Sequence, residues 1–559
     1  MEMDCVFKDI TLEEALLILE EDEDINFDGI FIEPPEAVVL TDEDSAEEDE
    51  SGLVDNLSGR QLRSGAEIFS QNENVDLSVS NLHENNEEEG DDIPENAPPK
   101  KKKCEKNSIK KKSRNPCTWV KHDLTAENVL LPNSDYTAFR ALNPVEAFEL
   151  FFNEQIIETI ILESTKYALF KNEPDPLLSP EEIEVFIGIL IVTGYNTLSG
   201  KRYYWENGAD VRNNLVYNSM RRDRFIQIMK YLHLADNNFP NLQDKMWKLR
   251  PFMNLLQEKF HEQFRPEQHL DFDESMIPYY GKHSCKQFIR GKPIRFGYKA
   301  WCVNTVDGYL VSFDIYQGKQ MSANTQYEAD FGKAASPLVM MIDKLPDNVK
   351  CLPLRFYFDN LFTSFNLLSH LKERGYEATG TVRENRLPRD CAIPSSKDLK
   401  RKKRGTLEFA KSEEESILVA RWVDNAVVTV ASTCYGINPI QNVQRYCREE
   451  KKKMNVPRPH LIGEYNKYMG GTDRMDENLS LYRIGVRGKK WWWPIFTWLI
   501  DATIHNAWLT YKNAGNDMRQ LQFRREIAQT YLELYKKPPQ TEFDLDESGE
   551  GFLYSNVNS

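Results

Sequence analysis

Over its first 98 residues the chain has only three basic side chains, Lys8, Arg60 and Arg63, against 31 Asp and Glu. Long apolar runs are missing too: the longest, Val185 to Val192, covers eight residues against the ~18 needed to cross a bilayer, so no transmembrane helix is expected. Met1 to Glu20 has neither a basic n-region nor a cleavage site, so no secretory signal is expected. No Cys-x-x-Cys pair occurs among the nine cysteines, a pattern of free thiols in a reducing compartment rather than disulfides or a zinc module. What remains is a chain of 559 residues, too long for one small module.

The net charge of −18 argues against a nucleic-acid partner until it is mapped. Residues 1–98 carry −28, and residues 100–114, with nine Lys and Arg against one Glu, carry +8. The remaining 115–559 is therefore at +2, and the acidity belongs to a tail. Acid runs with few aromatics cannot bury enough surface to offset ordering entropy, which predicts disorder. Within the tail, Thr11 and Glu14 form a capping box before a leucine-rich stretch reaching Glu20, where a short helix is expected. Ser45, set among acids, suits phosphorylation by an acid-directed kinase. The basic clusters Lys100, Lys101, Lys102, Lys103 and Lys110, Lys111, Lys112, Arg114 read as a nuclear import signal.

After Trp119 the texture is globular. Asn143-Pro144 with Glu146, and Ser179-Pro180 with Glu182, are helix starts; the first helix is expected to run through Ile161 and the second to end near Gly194. A third helix is expected from Ser219, with Arg221, Arg222 and Arg224 in its first turns. From His269 the pattern changes to strands: His269 to Asp273, Tyr298 to Val303 and, after the turn Asp307-Gly308, Tyr309 to Tyr316. A helix from Ala334 to Leu345 and a buried strand from Leu354 to Phe358 follow. Three antiparallel strands, a helix and a strand open an α/β fold of the ribonuclease H-like kind.

In such a sheet the first and fourth strands are neighbours, which would bring together Asp273 and Asp359. Adjacent carboxylates repel unless a cation intervenes. Mg2+, which takes oxygen ligands and keeps several waters, suits two or three carboxylates, and two such ions would support in-line phosphoryl displacement. Asp473 and Asp476, at i and i+3 after Gly470-Gly471, are the candidates to complete the set. Around them lies basic and aromatic sequence. Lys282, Lys286, Arg290, Lys292, Arg295 and Lys299 alternate with Phe288, Phe296 and Tyr298 without an acid, as expected of a hairpin gripping a phosphate backbone. Arg487, Lys489, Lys490 and Trp493 form a second such block, in which at least two of the three adjoining tryptophans are expected in the core. Between Asp359 and Asp473, strand-rich sequence with the run Lys400-Arg-Lys-Lys-Arg404 reads as an inserted β-domain.

The ordered set Met220-Arg-Arg-Asp-Arg-Phe225, Phe272-Asp-Glu274, Gly291-Lys-Pro-Ile-Arg-Phe-Gly-Tyr-Lys299, Phe358-Asp-Asn-Leu-Phe-Thr-Ser364, Gly380-Thr-Val-Arg383 and Tyr465 to Asp476 resembles the piggyBac transposases and the vertebrate proteins derived from them. The likeness runs from about Trp119 to Tyr531. It implies a catalytic and metal-binding triad on Asp273, Asp359 and Asp473, with Asp476 beside it, and Mg2+-dependent nicking, hairpin formation and strand transfer into TTAA targets. It also implies a ribonuclease H-like catalytic domain (266–384 and 439–480) with a β-rich insertion (385–438), flanked by a split helical dimerisation and DNA-binding region (118–265 and 481–540). A disordered acidic tail with a basic linker (1–117) and an acidic C-terminal tail (541–559) complete the organisation. The expected partners are DNA, namely transposon ends and a TTAA target, a second copy of the chain as a homodimer, and a nuclear protein bound by the acidic tail. One departure stands out: no cysteine follows Cys447, so the family's zinc module for end recognition is not expected. That leaves an alternative, a catalytically idle nuclear DNA-binding or chromatin-associated descendant.

Overall fold

The computed structural model describes residues 117–534, except 126–128, 130, 209, 290–293, 319–324 and 448–450, together with three N-terminal strands. Those strands, β1 (Cys5–Thr11), β2 (Phe27–Ile32) and β3 (Gly65–Ser70), form an antiparallel sheet in the order β1-β3-β2. The arm is therefore not disordered throughout. Each strand has one acid among apolar and β-branched residues, so local β-propensity survives within acidic sequence. Thr11 ends β1; the helix expected from it to Glu20, Ser45, the basic clusters at 100–114 and the tail 541–559 lie outside the described residues.

Both capping boxes form. Asn143 accepts from the N–H groups of Val145 and Glu146 at the start of α1 (Pro144–Glu149), but this helix does not continue to Ile161. Asn153 caps again, accepting from Ile156 N–H, and α2 (Glu154–Phe170) begins there, with Phe151 and Phe152 buried in the break. In α3 (Pro180–Tyr195) every residue from Val185 to Val192 is buried, which explains the apolar run without a membrane. No helix among the described residues is long and apolar enough to span one. The first helical part ends with α4 (Asn214–Ser219), α5 (Arg222–Tyr231) and α6 (Arg250–Gln263).

A ten-stranded sheet follows, from β4 (Trp119–Val120), β5 (His269–Pro278), β6 (Gln287–Phe288), β7 (Phe296–Thr305), β8 (Leu310–Ile315), β9 (Arg355–Phe358), β10 (Glu377–Thr381), β11 (Leu407–Ser412), β12 (Leu418–Val423) and β13 (Val427–Ser432). Its order is β4-β11-β12-β13-β10-β9-β5-β7-β6, with β8 also on β7. Neighbours are antiparallel except β5-β9 and β9-β10. Helices α7 (Thr325–Phe331), α8 (Ser336–Lys344) and α9 (Asp347–Lys350) connect β8 to β9, and α10 (Phe365–Glu373) connects β9 to β10. The strand-rich segment after β10 extends this sheet, since β13 pairs with the edge of β10.

Beyond α11 (Ser396–Lys400), a separate ribbon of β14 (Gln441–Cys447) and β15 (Lys452–Arg458) precedes α12 (His460–Tyr468) and α13 (Gly471–Leu481). The chain then returns to the helical region with α14 (Trp493–Asn513) and α15 (Gln520–Leu534). The two helical parts share one core: a Cβ on Gly188 of α3 would lie 3.1 Å from Tyr531 Cβ of α15. They also close the sheet edge. Asn506 of α14 pairs with Leu310 N–H and C=O, and Gln257 of α6 with Phe313 N–H and Val311 C=O, so the outer backbone of β8 is satisfied by amide side chains.

This enclosure has a consequence for pH. Burial pushes His233 and His283 down to about 3, and His261, His269 and His505 down to about 4. Depressed folded-state values mean stability present above the unfolded histidine value of about 6.5 and lost as pH falls. Burial raises Glu267 and Asp271 to about 7 and Asp359 to about 6, an opposing contribution. His370 is lowered as well, and Glu149 and Asp501 are raised, so six histidines stand against five carboxyls and the Tm of the metal-free protein should fall modestly from pH 6.5 to 4.5; scanning fluorimetry across that range checks it, and a Tm rising on acidification would contradict the assignment.

Candidate active site

The in-register parallel pairs His269 with Arg355 through Phe272 with Phe358 place Asp273 and Asp359 at the next step of the neighbouring strands β5 and β9. Asp271, Asp273 and Ser275 alternate onto one face of β5. Helix α13 lies along that face. Its Thr472 N–H donates to Asp271 Oδ2 at 2.9 Å, and Ser275 Oγ donates to Asp476 Oδ1 at 2.6 Å, with Asp273 midway between these two ties. Asp473 stands exposed in the first turn, close enough for its charge to raise the Asp271 carboxyl.

The Gly-Gly pair has a clear steric reason. Gly470 takes φ +116°, the left-handed region, and a Cβ on Gly471 would lie 2.1 Å from the Thr305 carbonyl oxygen at the end of β7 and 2.8 Å from Asp271 Oδ1. Any side chain at Gly471 would lift α13, and its acids, off the sheet.

Asp359 accepts from Leu361 N–H at 2.8 Å. Burial first, then the charge of Glu274, raise its carboxyl to about 6, against the opposing pull of Arg383 and Lys299. Asp271 is fully buried, raised to about 7 chiefly by burial, and its Oδ1 has no hydrogen-bond partner among the described residues. Burial thus outweighs the available counter-charge at two carboxyls of the site, Asp271 and Asp359. Among the described residues no three of His, Cys, Asp and Glu converge closely enough to hold a metal ion. The donor chemistry nevertheless fits Mg2+, which binds through one or two carboxylates together with substrate phosphates, and Asp273 with Asp359 could supply such a pair.

The basic residues divide. Lys282, Arg295, Arg221, Arg222, Arg487 and Lys489 are exposed, and two of these groups meet: Tyr298 hydroxyl donates to the Trp491 carbonyl and His283 stacks on Trp491 at 4.2 Å, so the β6-β7 hairpin adjoins the 487–491 loop. Arg290 and Lys292 lie outside the described residues. Four candidates for DNA contact are corrected. Lys299 is fully buried, with its ammonium 4.0 Å from the Trp301 ring centre, and acts as internal counter-charge to Asp359. Lys286 is buried against the Tyr280 carbonyl and the Phe296 ring. Lys490 donates to the carbonyls of Lys230 and Leu232, closing the end of α5, with burial lowering its ammonium to about 7. Trp493 is buried with its two neighbours and donates to the Val486 carbonyl. Lys286, Lys299 and Trp493 are buried along their stems or ring, while Lys490 is half-buried and fixed by its two carbonyls. The basic helix also starts later than expected, at Arg222, and Arg224 is held by Glu182.

Asp271, Glu274, Ser275 and Arg383 were not singled out from the sequence as site residues. The period of two along His269-Leu-Asp-Phe-Asp273 carried the signal for Asp271, since i and i+2 share a strand face. Arg383 was marked only as the end of the segment Gly380-Thr-Val-Arg383, with no role attached; it reaches Asn360 beside Asp359 at 3.1 Å.

Comparison with known proteins extends these observations. A family model described as Transposase IS4 matches residues 143–508. Human PiggyBac transposable element-derived protein 3 is 38% identical over 545 residues, covering 95% of this chain and 89% of that protein. Human PiggyBac transposable element-derived protein 2 is 36% identical over 512 residues, 90% of this chain and 82% of its own length. Among solved structures, a piggyBac transposase synaptic complex with hairpin DNA superposes with a TM-score of 0.59 at 20% identity, over 72% of this chain and 84% of that one, a likeness of fold.

Proposed function

Because this chain belongs to the family of piggyBac transposable element-derived proteins, we propose that it cleaves and joins DNA strands in the transposase manner through Asp273, Asp359 and Asp473, with Asp476 beside them. The observation that carries this reading is the register that sets Asp273 and Asp359 side by side beneath the helix bearing the other two acids. The strand order β8-β7-β5-β9-β10, with the last two parallel to β5, supports a ribonuclease H-like catalytic core. Asp273 and Asp359 would hold Mg2+, with Asp473 or Asp476 closing the set as the substrate phosphate enters; the bound ion would activate the attacking oxygen and neutralise charge developing on the leaving one. The protein's own groups prepare the rest: Arg383 and Lys299 temper the repulsion between Asp359 and Glu274, and exposed Lys282, Arg295, Arg487 and Lys489 offer a track for the phosphate backbone. TTAA as target, a homodimer as the working unit and a nuclear location follow from the family resemblance.

Asp473 stands exposed and Asp476 is tied to Ser275, which favours one second reading, a nuclear DNA-binding or chromatin-associated protein whose strand chemistry is idle. Incubation of the purified full chain with a labelled duplex ending next to TTAA separates the two. Nicks in Mg2+ that vanish with chelator and with Asp359→Asn support cleavage; uncut duplex that is nevertheless bound supports the second reading.

A further inference from the structure

The β14-β15 ribbon has no part in the site described above, yet its two faces differ sharply. Opposed pairs such as Val443 with Val456 and Arg445 with Met454 face the body, where Val456 is buried and Arg445 meets Asp424. Along the other face run Asn442, Gln444 and Tyr446, opposite Pro457, Asn455 and Lys453, and all six are exposed. The side chains of Asn442, Gln444 and Asn455 make no hydrogen bond to the described residues. The two strands carry Arg445, Lys452, Lys453 and Arg458 and no acid.

The ribbon is fixed in place. Trp422 Nε1 donates to the Pro457 carbonyl at 2.7 Å, Arg404 donates to the Tyr446 carbonyl, and Arg404 and Arg445 share Asp424. Arg404 ends the run of Lys400, Arg401, Lys402 and Lys403, all exposed, so a basic loop borders the amide-bearing face. From β15 the chain passes through α12 directly into α13, which bears Asp473 and Asp476.

The geometry points to a DNA-reading ribbon: the face of Asn442, Gln444, Lys453 and Asn455 enters the major groove of duplex DNA and reads base edges, while Lys400, Arg401 and Lys403 hold the flanking phosphates. This rests on the proposed action on DNA and adds where sequence is read. A two-stranded ribbon fits a groove about 12 Å wide, and side chains on one strand face recur every ~6.8 Å, about two base-pair rises. Asn and Gln pair with two atoms of adenine and Lys with guanine, chemistry that an ordinary solvated face of Lys and Glu does not offer. Three amides and a lysine address a stretch of about 4–6 base pairs.

The test is selection from a randomised duplex library by the full chain, followed by anisotropy titrations over a range of salt. Wild type should enrich a short adenine-containing sequence. The variant Asn442→Ala/Gln444→Ala/Asn455→Ala should keep its Tm and its affinity for unselected duplex within about threefold, while losing discrimination of about 5- to 150-fold per read base. Lys400→Ala/Arg401→Ala/Lys403→Ala should weaken all duplexes alike and flatten the salt dependence, by up to ~0.9 in the log-log slope for each phosphate no longer neutralised. Duplex binding without sequence preference, the same enrichment by the triple-amide variant, or preferential binding of single strands or RNA would overturn the ribbon alone. No binding of any duplex would overturn both the ribbon and the proposed action on DNA.

Discussion

Asp501→Ala is expected to lower the unfolding free energy by about 3–5 kcal/mol, while Arg524→Met, at the other end of the same ion pair, costs clearly less. Arg524 of α15 and Asp501 of α14 are both almost fully buried, joined at 2.8 Å, and Asp501 Oδ2 also accepts from Ile484 N–H. Removing Asp501 strands a guanidinium in the core that cannot shed its proton, and its Nε and one terminal nitrogen already have no partner among the described residues. Removing Arg524 leaves a carboxyl that burial already raises, so protonation neutralises it. Asp501→Leu/Arg524→Met should recover most of the loss, because a matched apolar pair leaves no buried charge. Denaturant titration of the three variants checks the order, and equal midpoints would show that the pair does not tie the two helices together.

Asp359→Asn should move activity and stability in opposite directions. Cleavage in Mg2+ should drop on the order of 10^3-fold or more, since one of the two neighbouring carboxylates is lost and several kcal/mol of transition-state charge stabilisation go with it. The metal-free protein should meanwhile gain a few degrees in Tm at pH 7.5. An Asp raised to about 6 by burial and by Glu274 is destabilising while ionised, and Asn reproduces its neutral form and can keep the bond from Leu361. The gain should vanish below pH 4, where Asp359 is itself neutral. Wild type and variant compared by calorimetry at both pH values, beside a nicking assay, separate a ligand from a residue that merely supports the fold.

How much of this was legible beforehand depended on the range of each interaction. The capping boxes at Asn143 and Ser179 act within three residues and formed as read, and the strands from His269 to Phe358 follow from alternation and buried apolar runs. The helix break at Asn153 was missed because Phe151 and Phe152 continue a helical apolar pattern while a second cap at Asn153 restarts the chain. Lys299 and Lys490 read as surface cations because charge alone says nothing about where a long stem ends.

By itself the sequence determined the separation of a charged arm from a nearly neutral body, the kind and order of the elements, and the acids that a shared site would use. All of these rest on composition or on periods of two and 3.6 residues. The tertiary structure decided which charges face water: it buried Lys286, Lys299 and the Asp501-Arg524 pair, laid α13 against β5 through the gap that Gly471 leaves, and turned one face of a ribbon outward. Those outcomes depend on residues hundreds of positions apart meeting across one core, where the cost of leaving a charge or an amide unpaired, rather than any local preference, selects the partner.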